Sequence, residues 1–335
     1  MTADLSIIFV NYNAAPFIND CIRSIYQYNQ AESFEIIIVD NNSSDESGKL
    51  LMNNFPNTRW IQMGYNAGYA RANNEGIRQA KGNIVLLLNP DVLFEDNSLQ
   101  KCYQSFIESG YSACCVQLLN PDKSPQISGG YFIRGGLNNL LPLPVLGKIF
   151  KWLGNLLQVK KTSLKNADRI QEVDWINGAF IMVKKESLKK PGLLDEDFFL
   201  YAEEIEWCSR IRKFGKICIY GNLHAIHLQG ETANQAFESS GKGYYNLHDR
   251  KGRQILVSNF LRIRKQFGVG WFLFHLVCYF VEIPFFFLLV LIRTILFIRK
   301  GYSFSKFGGY ISNLFYLLGK SGKIIRNKPH FYKVI

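Results

Sequence analysis

One segment of the chain, Asp195–Trp207 (DEDFFLYAEEIEW), concentrates carboxylates among apolar side chains. Six of its thirteen residues are acidic: Asp195, Glu196, Asp197, Glu203, Glu204 and Glu206. Carboxylates this dense repel one another and lose hydration, which costs stability unless the protein uses them. The same environment raises a carboxylate's pKa toward that of a general base. The alternative is a solvated acidic helix start favoured by the helix dipole, and the apolar Phe198–Tyr201 argues against it.

Polar residues also follow the predicted strands of the first hundred residues. Four short apolar runs, separated by helical patterns, have the composition of buried strands: Leu5–Val10, Glu35–Val39, Trp60–Met63 and Asn83–Leu88. This alternation predicts a doubly wound, mainly parallel sheet, in which ligands bind beyond the carboxyl ends of the strands. The residues at those ends are Asn11 and Asn13, Asp40, Asn66 and Gly68, and Asn89 and Asp91. Each alone suits a turn or cap, but together they indicate a binding site.

The residue types at this rim suit a nucleotide and a metal ion. Asp40 can accept a hydrogen bond from a base or a ribose hydroxyl, and Gly68 allows a phosphate or ribose to approach the backbone. Asp91 is the hard oxygen ligand that Mg²⁺ or Mn²⁺ requires, and such an ion would neutralise a diphosphate leaving group. No G-x-G-x-x-G follows the first strand and no G-x-x-x-x-G-K-[ST] is present, which argues against NAD enzymes and P-loop NTPases.

These motifs, in this order, resemble glycosyltransferase family 2, which has the GT-A fold. The resemblance spans roughly Leu5 to Tyr245 and is greatest to the rhamnosyltransferase-like members of bacterial surface polysaccharide assembly. It rests on VNYN, VDNNSSD, NAGYARANN, LLLNPDV, WINGAFIMVKKE and DEDFFLYAEEIEWCSR. The Q-x-x-R-W motif of processive synthases is absent, which favours the addition of one or a few sugars.

The resemblance implies roles for individual residues. Glu204 is expected to be the catalytic base, with Glu203 as the alternative, because this sequence has Glu where the family usually has Asp. His227, in register with Gly230 and Thr232, is expected to bind Mg²⁺ or Mn²⁺ together with Asp91. The expected nucleotide contacts are Val10, Asn11, Asn13, Asp40, Asn42, Asn66, Gly68, Asn74 and Asn89. The expected acceptor contacts are Trp175, Asn177, Gly178, Tyr201 and Trp207.

The C-terminal part of the chain is basic and apolar. From Ser240 onward, 16 Lys and Arg accompany only Asp249 and Glu282, whereas the first 239 residues carry 23 basic and 25 acidic residues. This part includes the apolar run Trp271–Ile298, which is long enough to cross a bilayer but contains Glu282 and Pro284 and has basic flanks. We expect it to bind an anionic membrane surface as a re-entrant hairpin or an interfacial helix pair; a spanning helix and a buried soluble helix are the alternatives. Nucleic acid does not explain so long an apolar run.

A second amphipathic segment, Leu146–Lys161, carries apolar and basic faces. It is either a second membrane contact, a lid over a lipid-linked acceptor, or a helix packed on the body.

The seven cysteines show no metal-like spacing and are expected to be inert thiols of a reducing compartment. The start of the chain has no signal-peptide pattern.

The sequence thus predicts an inverting, metal-dependent glycosyltransferase at the cytoplasmic face of the bacterial inner membrane. The expected donor is dTDP-rhamnose and the expected acceptor a glycan on a polyprenyl diphosphate. We expect a catalytic domain at 1–240, with a nucleotide-binding half at 1–95 and an acceptor-binding half at 96–240, and a membrane-associating region at 241–335. The alternatives are a UDP-hexose donor, a nucleotidyl- or phosphosugar-transferase, and a non-catalytic membrane-bound sensor or scaffold of nucleotide sugars.

Overall fold

The computed structural model describes residues 5–29, 34–159, 161–228, 237, 239, 246–298 and 300–334. The chain divides into two compact units. The first comprises Met1–Tyr131, Ser163–Phe199 and Glu203–Thr232, and the second comprises Phe132–Thr162, Leu200–Ala202 and Ala233–Ile335. This division differs from the expected domains in two segments, Phe132–Thr162 and Leu200–Ala202, which belong with the C-terminal unit. The expected boundary at 240/241 lies outside the described residues.

Twelve strands are described in the first unit, and their lengths follow the apolar runs of the sequence. They are β1 (Leu5–Asn11), β2 (Phe34–Asp40), β3 (Arg59–Gln62), β4 (Ile84–Leu88), β5 (Val92–Leu93), β6 (Tyr111–Leu119), β7 (Gly129–Gly130), β8 (Ser163–Leu164), β9 (Ile170–Val173), β10 (Trp175–Ile176), β11 (Phe180–Lys184) and β12 (Lys216–His227). The helices are α1 (Ala15–Tyr28), α2 (Ser47–Asn54), α3 (Gly68–Gln79), α4 (Ser98–Ile107) and α6 (Glu203–Ile211), with a 3-10 helix at Lys185–Leu188.

The main sheet has the described order β3-β2-β1-β4-β11-β6-β12-β5, and β9 pairs with β12. The pairings of β1 with β2 and β4, of β2 with β3, and of β6 with β12 are parallel, whereas β11 runs antiparallel to both neighbours. The central strands are almost wholly buried because helices cover both faces of such a sheet. A small second sheet has the order β10-β7-β8. The predicted α/β fold with a mainly parallel sheet is confirmed.

The described part of the second unit is helical. Its elements are a 3-10 helix (Arg134–Leu140), α5 (Leu146–Leu156), α7 (Arg250–Phe267), α8 (Val269–Ile295) and α9 (Phe304–Ile325). Asp249 caps α7 by accepting a hydrogen bond from the Gly252 N–H (2.8 Å). Helices α7, α8 and α9 pack on one another, and the Tyr310 hydroxyl donates to the Tyr279 carbonyl (2.6 Å).

Helix α8 is continuous, although it contains Pro284. Proline removes one intrahelical hydrogen bond, but packing against neighbouring helices compensates for such a loss. The re-entrant hairpin that the sequence suggested is therefore not the arrangement seen. Among the described residues, α8 is the one helix long and apolar enough to cross a membrane by length and composition.

Candidate active site

A buried pair formed by Asp91 and His227 is created by strand pairing. Strand β5 begins directly after Asp91 and runs antiparallel to the end of β12, so that Val92 lies opposite His227. The Leu228 N–H donates to the Asp91 carbonyl (3.0 Å), and His227 Nε2 lies 3.5 Å from Asp91 Oδ1. The two predicted metal ligands, 136 positions apart in the chain, are thus neighbours in the fold.

Gln126 selects the tautomer of a neutral His227 side chain, and the sequence reasoning missed it. Its Oε1 lies 2.9 Å from His227 Nδ1, while its Nε2 lies 2.6–3.3 Å from three acceptor oxygens: Leu119 O, Asn120 Oδ1 and His227 O. Because the nitrogen end of this amide meets only acceptors in the described chain, its oxygen faces the imidazole and His227 Nδ1 carries the proton. In the neutral imidazole, His227 Nε2 then presents its lone pair on the side of Asp91.

The pair fits a divalent cation. His227 Nε2 is buried and has no hydrogen-bond partner in the part of the chain that the structure describes, and an imidazole lone pair beside a carboxylate suits Mn²⁺ or Mg²⁺ ligation. Within the described ranges no cluster of three or more His, Cys, Asp and Glu could hold a metal ion. A cation at Asp91 and His227 would therefore take further oxygen ligands from another source. Gly230 and Thr232, expected to accompany His227, lie outside the described residues.

The backbone at Gly178 connects three of the sequence motifs. Strand β11 lies antiparallel to β4, which brings the Asn89 N–H to the Ala179 carbonyl (3.0 Å). The Tyr69 hydroxyl donates to the Gly178 carbonyl (2.7 Å). A Cβ atom placed on Gly178 would lie 3.5 Å from Cγ of Glu204, so this glycine lies directly against the candidate base. Residues predicted for donor, acceptor and catalysis therefore meet at one point.

The acidic cluster divides into structural and candidate catalytic members. Glu206 accepts three hydrogen bonds from the Arg210 guanidinium (2.8–3.0 Å), and Glu196 accepts from Arg78 (2.6 Å) and Asn74 (3.0 Å). These pairings neutralise both carboxylates. Glu203 and Glu204 are buried in the first turn of α6, where the helix dipole favours negative charge. The solvated helix start considered from the sequence is wrong, because all three glutamates of this turn are buried.

Asp40 lies at the predicted strand end but is engaged by the protein. Its Oδ1 accepts from Asn11 Nδ2 (2.7 Å) and Ser43 Oγ (2.6 Å), and its Oδ2 accepts from the Ser43 N–H (3.0 Å) and Gln62 Nε2 (2.7 Å). Four donors fill the accepting capacity of a carboxylate. Asp40 therefore organises the turn after β2, and a nucleotide contact through its side chain requires one of these donors to be displaced.

The other predicted nucleotide contacts fall into two groups. Residues of the first group lie at or near the strand ends. Val10 lies opposite Val39 in the sheet, and Asn66 Oδ1 accepts a hydrogen bond from the Gly68 N–H (3.1 Å). Asn13 and Asn42 are exposed and have positive φ angles of 52° and 64°. Asn74 differs because it is buried and its amide bonds the backbone of Leu194 in both directions (2.9 and 3.0 Å). Its amide joins α3 to residue 194 instead of facing a nucleotide.

Close packing requires a glycine at position 68, which the sequence did not reveal. Its φ is 72°, and a Cβ atom there would lie 2.2 Å from the Phe199 carbonyl oxygen. The adjacent Tyr69 N–H donates to that same oxygen (2.8 Å). Because Gly68 has no side chain, the backbone of Phe199, which precedes α6, can approach the start of α3 closely.

The predicted acceptor contacts are also unequal. Trp207 is fully buried and its indole N–H donates to the Gly192 carbonyl (2.9 Å), so its role is core packing and the acceptor prediction for it is corrected. Trp175 is partly exposed, and Asn177 bonds the Ala179 N–H (2.9 Å) and the Ile127 carbonyl (3.1 Å). Tyr201 belongs to the second unit, where its ring lies 6.3 Å from that of Phe237.

The cysteines form no part of this site. All seven are free thiols, and six of them are buried. Burial raises the pKa of Cys208 to about 12, and burial with the nearby Asp91 charge raises the pKa of Cys21. Both thiols are therefore protonated near neutral pH and are poor metal ligands.

Comparison with known proteins identifies relatives of this chain. The sequence model for "Glycosyl transferase family 2" matches residues 6–140. The low-salt glycan biosynthesis hexosyltransferase Agl10 of Haloferax volcanii is 30% identical over 77% of this chain and 76% of its own length. The N-acetylglucosaminyl-diphospho-decaprenol L-rhamnosyltransferase of Mycobacterium tuberculosis is 24% identical over 66% of this chain and 74% of its own.

The fold has a counterpart among solved structures. The mannosyltransferase PcManGT from Pyrobaculum calidifontis, solved with GDP-Man and Mn²⁺, superposes with a TM-score of 0.53 at 15% identity, over 97% of this chain and 88% of that one. Sequence and fold thus agree, and the chain belongs to glycosyltransferase family 2 as an enzyme that transfers a sugar.

Proposed function

We propose that the protein is an inverting glycosyltransferase that uses Mn²⁺ or Mg²⁺ and moves L-rhamnose from dTDP-rhamnose to a glycan on a polyprenyl diphosphate. The observation that carries the proposal is the buried Asp91–His227 pair, whose imidazole lone pair is left for a cation. The donor and acceptor classes are supported by the name of the mycobacterial relative, an L-rhamnosyltransferase whose acceptor is a diphospho-decaprenol.

In this proposal Glu204 accepts the proton of the acceptor hydroxyl. The hydroxyl oxygen forms its bond to the anomeric carbon on the face opposite the diphosphate, and the bond from that carbon to the diphosphate oxygen breaks with its electron pair. A cation at Asp91 and His227 supplies charge neutralisation for the leaving diphosphate. We prefer Glu204 to Glu206 as the base because the Arg210 guanidinium donates hydrogen bonds to both carboxylate oxygens of Glu206.

The proposal places the protein at the cytoplasmic face of the bacterial inner membrane. The support is the second unit: α8 buries one face, including Phe272, Tyr279 and Val290, and leaves an apolar face exposed along its length. Helix α8 packs on α7, which contains several Arg and Lys, and an apolar face beside basic residues suits a helix that lies along a leaflet.

The test is a donor panel with the full-length protein. Purified enzyme is given dTDP-, UDP- and GDP-sugars with Mn²⁺ or Mg²⁺ and a polyprenyl-diphosphate glycan as acceptor. We expect transfer from dTDP-rhamnose that EDTA abolishes. Transfer from a UDP-hexose instead would show that dTDP-rhamnose is the wrong donor, while the glycosyltransferase activity would stand. No transfer from any donor would favour the non-catalytic sensor.

The base assignment is tested with Glu204→Gln. We expect kcat to fall by about 10²–10⁴-fold while donor binding persists, because the amide cannot take a proton. Glu186→Gln, a change of an exposed glutamate, is the matched control. Unchanged turnover in Glu204→Gln would move the role to Glu203.

A further inference from the structure

Helix α5 exposes an apolar face in the second unit. Within the described chain, Gly147 is its one buried residue. Trp152, Leu156 and Leu157 are 63%, 65% and 72% exposed, and Ile149 and Leu153 lie on the same side of the helix. A stripe of this kind on a folded protein marks a surface that contacts something else.

A buried carboxylate fixes where this helix begins. Glu282 is fully buried in the middle of the apolar helix α8. Its Oε1 accepts from the Val145 N–H (2.7 Å) and its Oε2 from the Leu146 N–H (2.9 Å). These N–H groups start α5, where no side chain of the helix's own N-cap residue serves them. Glu282 therefore acts as an N-terminal cap supplied by another helix, and its charge matches the helix dipole.

The capped helix and its partner both leave apolar faces exposed. On α8 six of the exposed apolar positions recur every three or four residues: Val277, Val281, Phe285, Leu288, Ile292 and Ile295. This stripe lies on the side of α8 opposite the buried Tyr279 and Phe286. Glu282 thus links two helices of one unit that both lack a protein covering for their apolar sides in the described chain.

The charges around these faces select the partner. The sequence has no Asp or Glu between Asp122 and Asp168, although it has Arg134, Lys148, Lys151, Lys160, Lys161 and Lys165 there. After Asp249 the one acid is Glu282, which is committed to the cap. Apolar side chains flanked by cations without exposed carboxylates are complementary to an anionic lipid leaflet. The eleven residues of α5 extend about 16 Å, which is too short to cross a bilayer.

We propose that α5 is a second membrane-binding helix, which lies in the plane of an anionic leaflet and is held to the membrane-facing α8 by the Glu282 cap. The proposal rests on the membrane association put forward above and adds a separate contact to it. The lysines of α5 then meet lipid head groups, and Trp152 and Leu156 enter the acyl boundary.

The test places an environment-sensitive fluorophore at single cysteines in the full-length protein. The positions are Leu156 on the apolar side of α5, Asn155 on its polar side and Val281 on the exposed face of α8. The background is Cys278→Ser, because the other thiols are buried. Vesicles contain phosphatidylcholine with about 30 mol% phosphatidylglycerol, with and without lipids that quench fluorescence.

We expect a blue shift and quenching at positions 156 and 281 but not at 155. Signal at 281 with water-like emission at 156 would overturn the role of α5 and leave the membrane association standing. Water-like emission at both positions would overturn both.

Whether α5 contacts a lipid surface or another protein is tested by changing the apolar face of α5. Trp152→Ser with Leu156→Ser should weaken vesicle binding at least about tenfold, because two large apolar side chains no longer leave water. Ile107→Ser, at an exposed apolar residue of the first unit, is the control. If the double variant instead splits a dimer in solution and leaves vesicle binding intact, a second copy of the chain is the partner and the proposal is wrong.

Discussion

At the scale of single residues, the site depends on side chains whose roles come from their neighbours. His227 offers a lone pair toward Asp91 only while Gln126 holds the proton on the other nitrogen. Glu204 and Glu206 are two positions apart in one helix, yet an arginine neutralises the second. The same residue type thus differs in its partners between positions of one helix.

Gln126→Leu should weaken Mn²⁺ binding. Loss of the Oε1 acceptor frees the imidazole to change tautomer and orientation, and losses of this kind cost about 10–100-fold in metal affinity. Titration of the protein with Mn²⁺, followed by electron paramagnetic resonance, measures this without substrate. Gln171→Leu, which removes an amide bonded to Tyr131, is the control. Equal Mn²⁺ affinity in both variants would contradict a positioning role for Gln126.

Gly68→Ala should destabilise the protein more than Gly64→Ala. Both glycines have φ near 72–74°, so both substitutions carry the cost of a left-handed backbone, about 1 kcal/mol or more. Only at Gly68 would the added Cβ meet the Phe199 carbonyl, whereas no atom lies within 4 Å at Gly64 in the described chain. Urea unfolding of the two variants compares them directly. Similar losses would mean that residue 199 moves away without cost.

At the scale of elements, one carboxylate within an apolar helix has a structural role. Glu282 interrupts an apolar run and appeared there as an obstacle to a membrane helix. In the structure it completes the start of α5, so that a polar group in α8 is satisfied by two backbone donors.

Glu282→Gln should loosen α5 without unfolding the chain. The amide can accept one of the two N–H bonds but presents an NH₂ group to the other, which costs about 1–3 kcal/mol at a buried site. We expect faster hydrogen exchange at the Val145 and Leu146 amides and unchanged exchange in α3. Unaltered protection of these two amides would show that Glu282 does not hold the helix.

At the scale of the whole molecule, the charge is divided between the two parts of the sequence. The first 239 residues carry slightly more acids than bases, while the remainder carries 16 bases and two acids. Such an asymmetry favours contact with an anionic surface through the basic C-terminal part.

Vesicle binding should therefore require anionic lipid and decline with salt. The Debye length falls from about 10 Å at 0.1 M to about 3 Å at 1 M salt, which screens contacts between lysines and head groups. We expect binding to anionic vesicles to weaken roughly tenfold or more over this range, since each basic residue contributes about 1 kcal/mol. Neutral vesicles provide the control in a flotation assay. Binding that ignores both salt and lipid charge would contradict the electrostatic part of the mechanism.

The sequence by itself determined four strands within the first hundred residues, the order of the motifs and the family. Periodicity and composition fix local structure, so β1, β2 and β4 lie within a residue of their predicted limits. The parallel sheet then brings the polar ends of these strands to one rim. The approach of Asp91 to His227 was expected from the family resemblance and not from spacing.

Only the tertiary structure decided which polar residues are occupied by the protein itself. Hydrogen bonds between distant segments engage Asp40 and Asn74, and burial removes Trp207 from the surface. The role of Gln126 depends on a contact with a residue 101 positions away, which leaves no local pattern. Local patterns report what a residue can do, whereas its partners, set by packing across the whole chain, decide what it does.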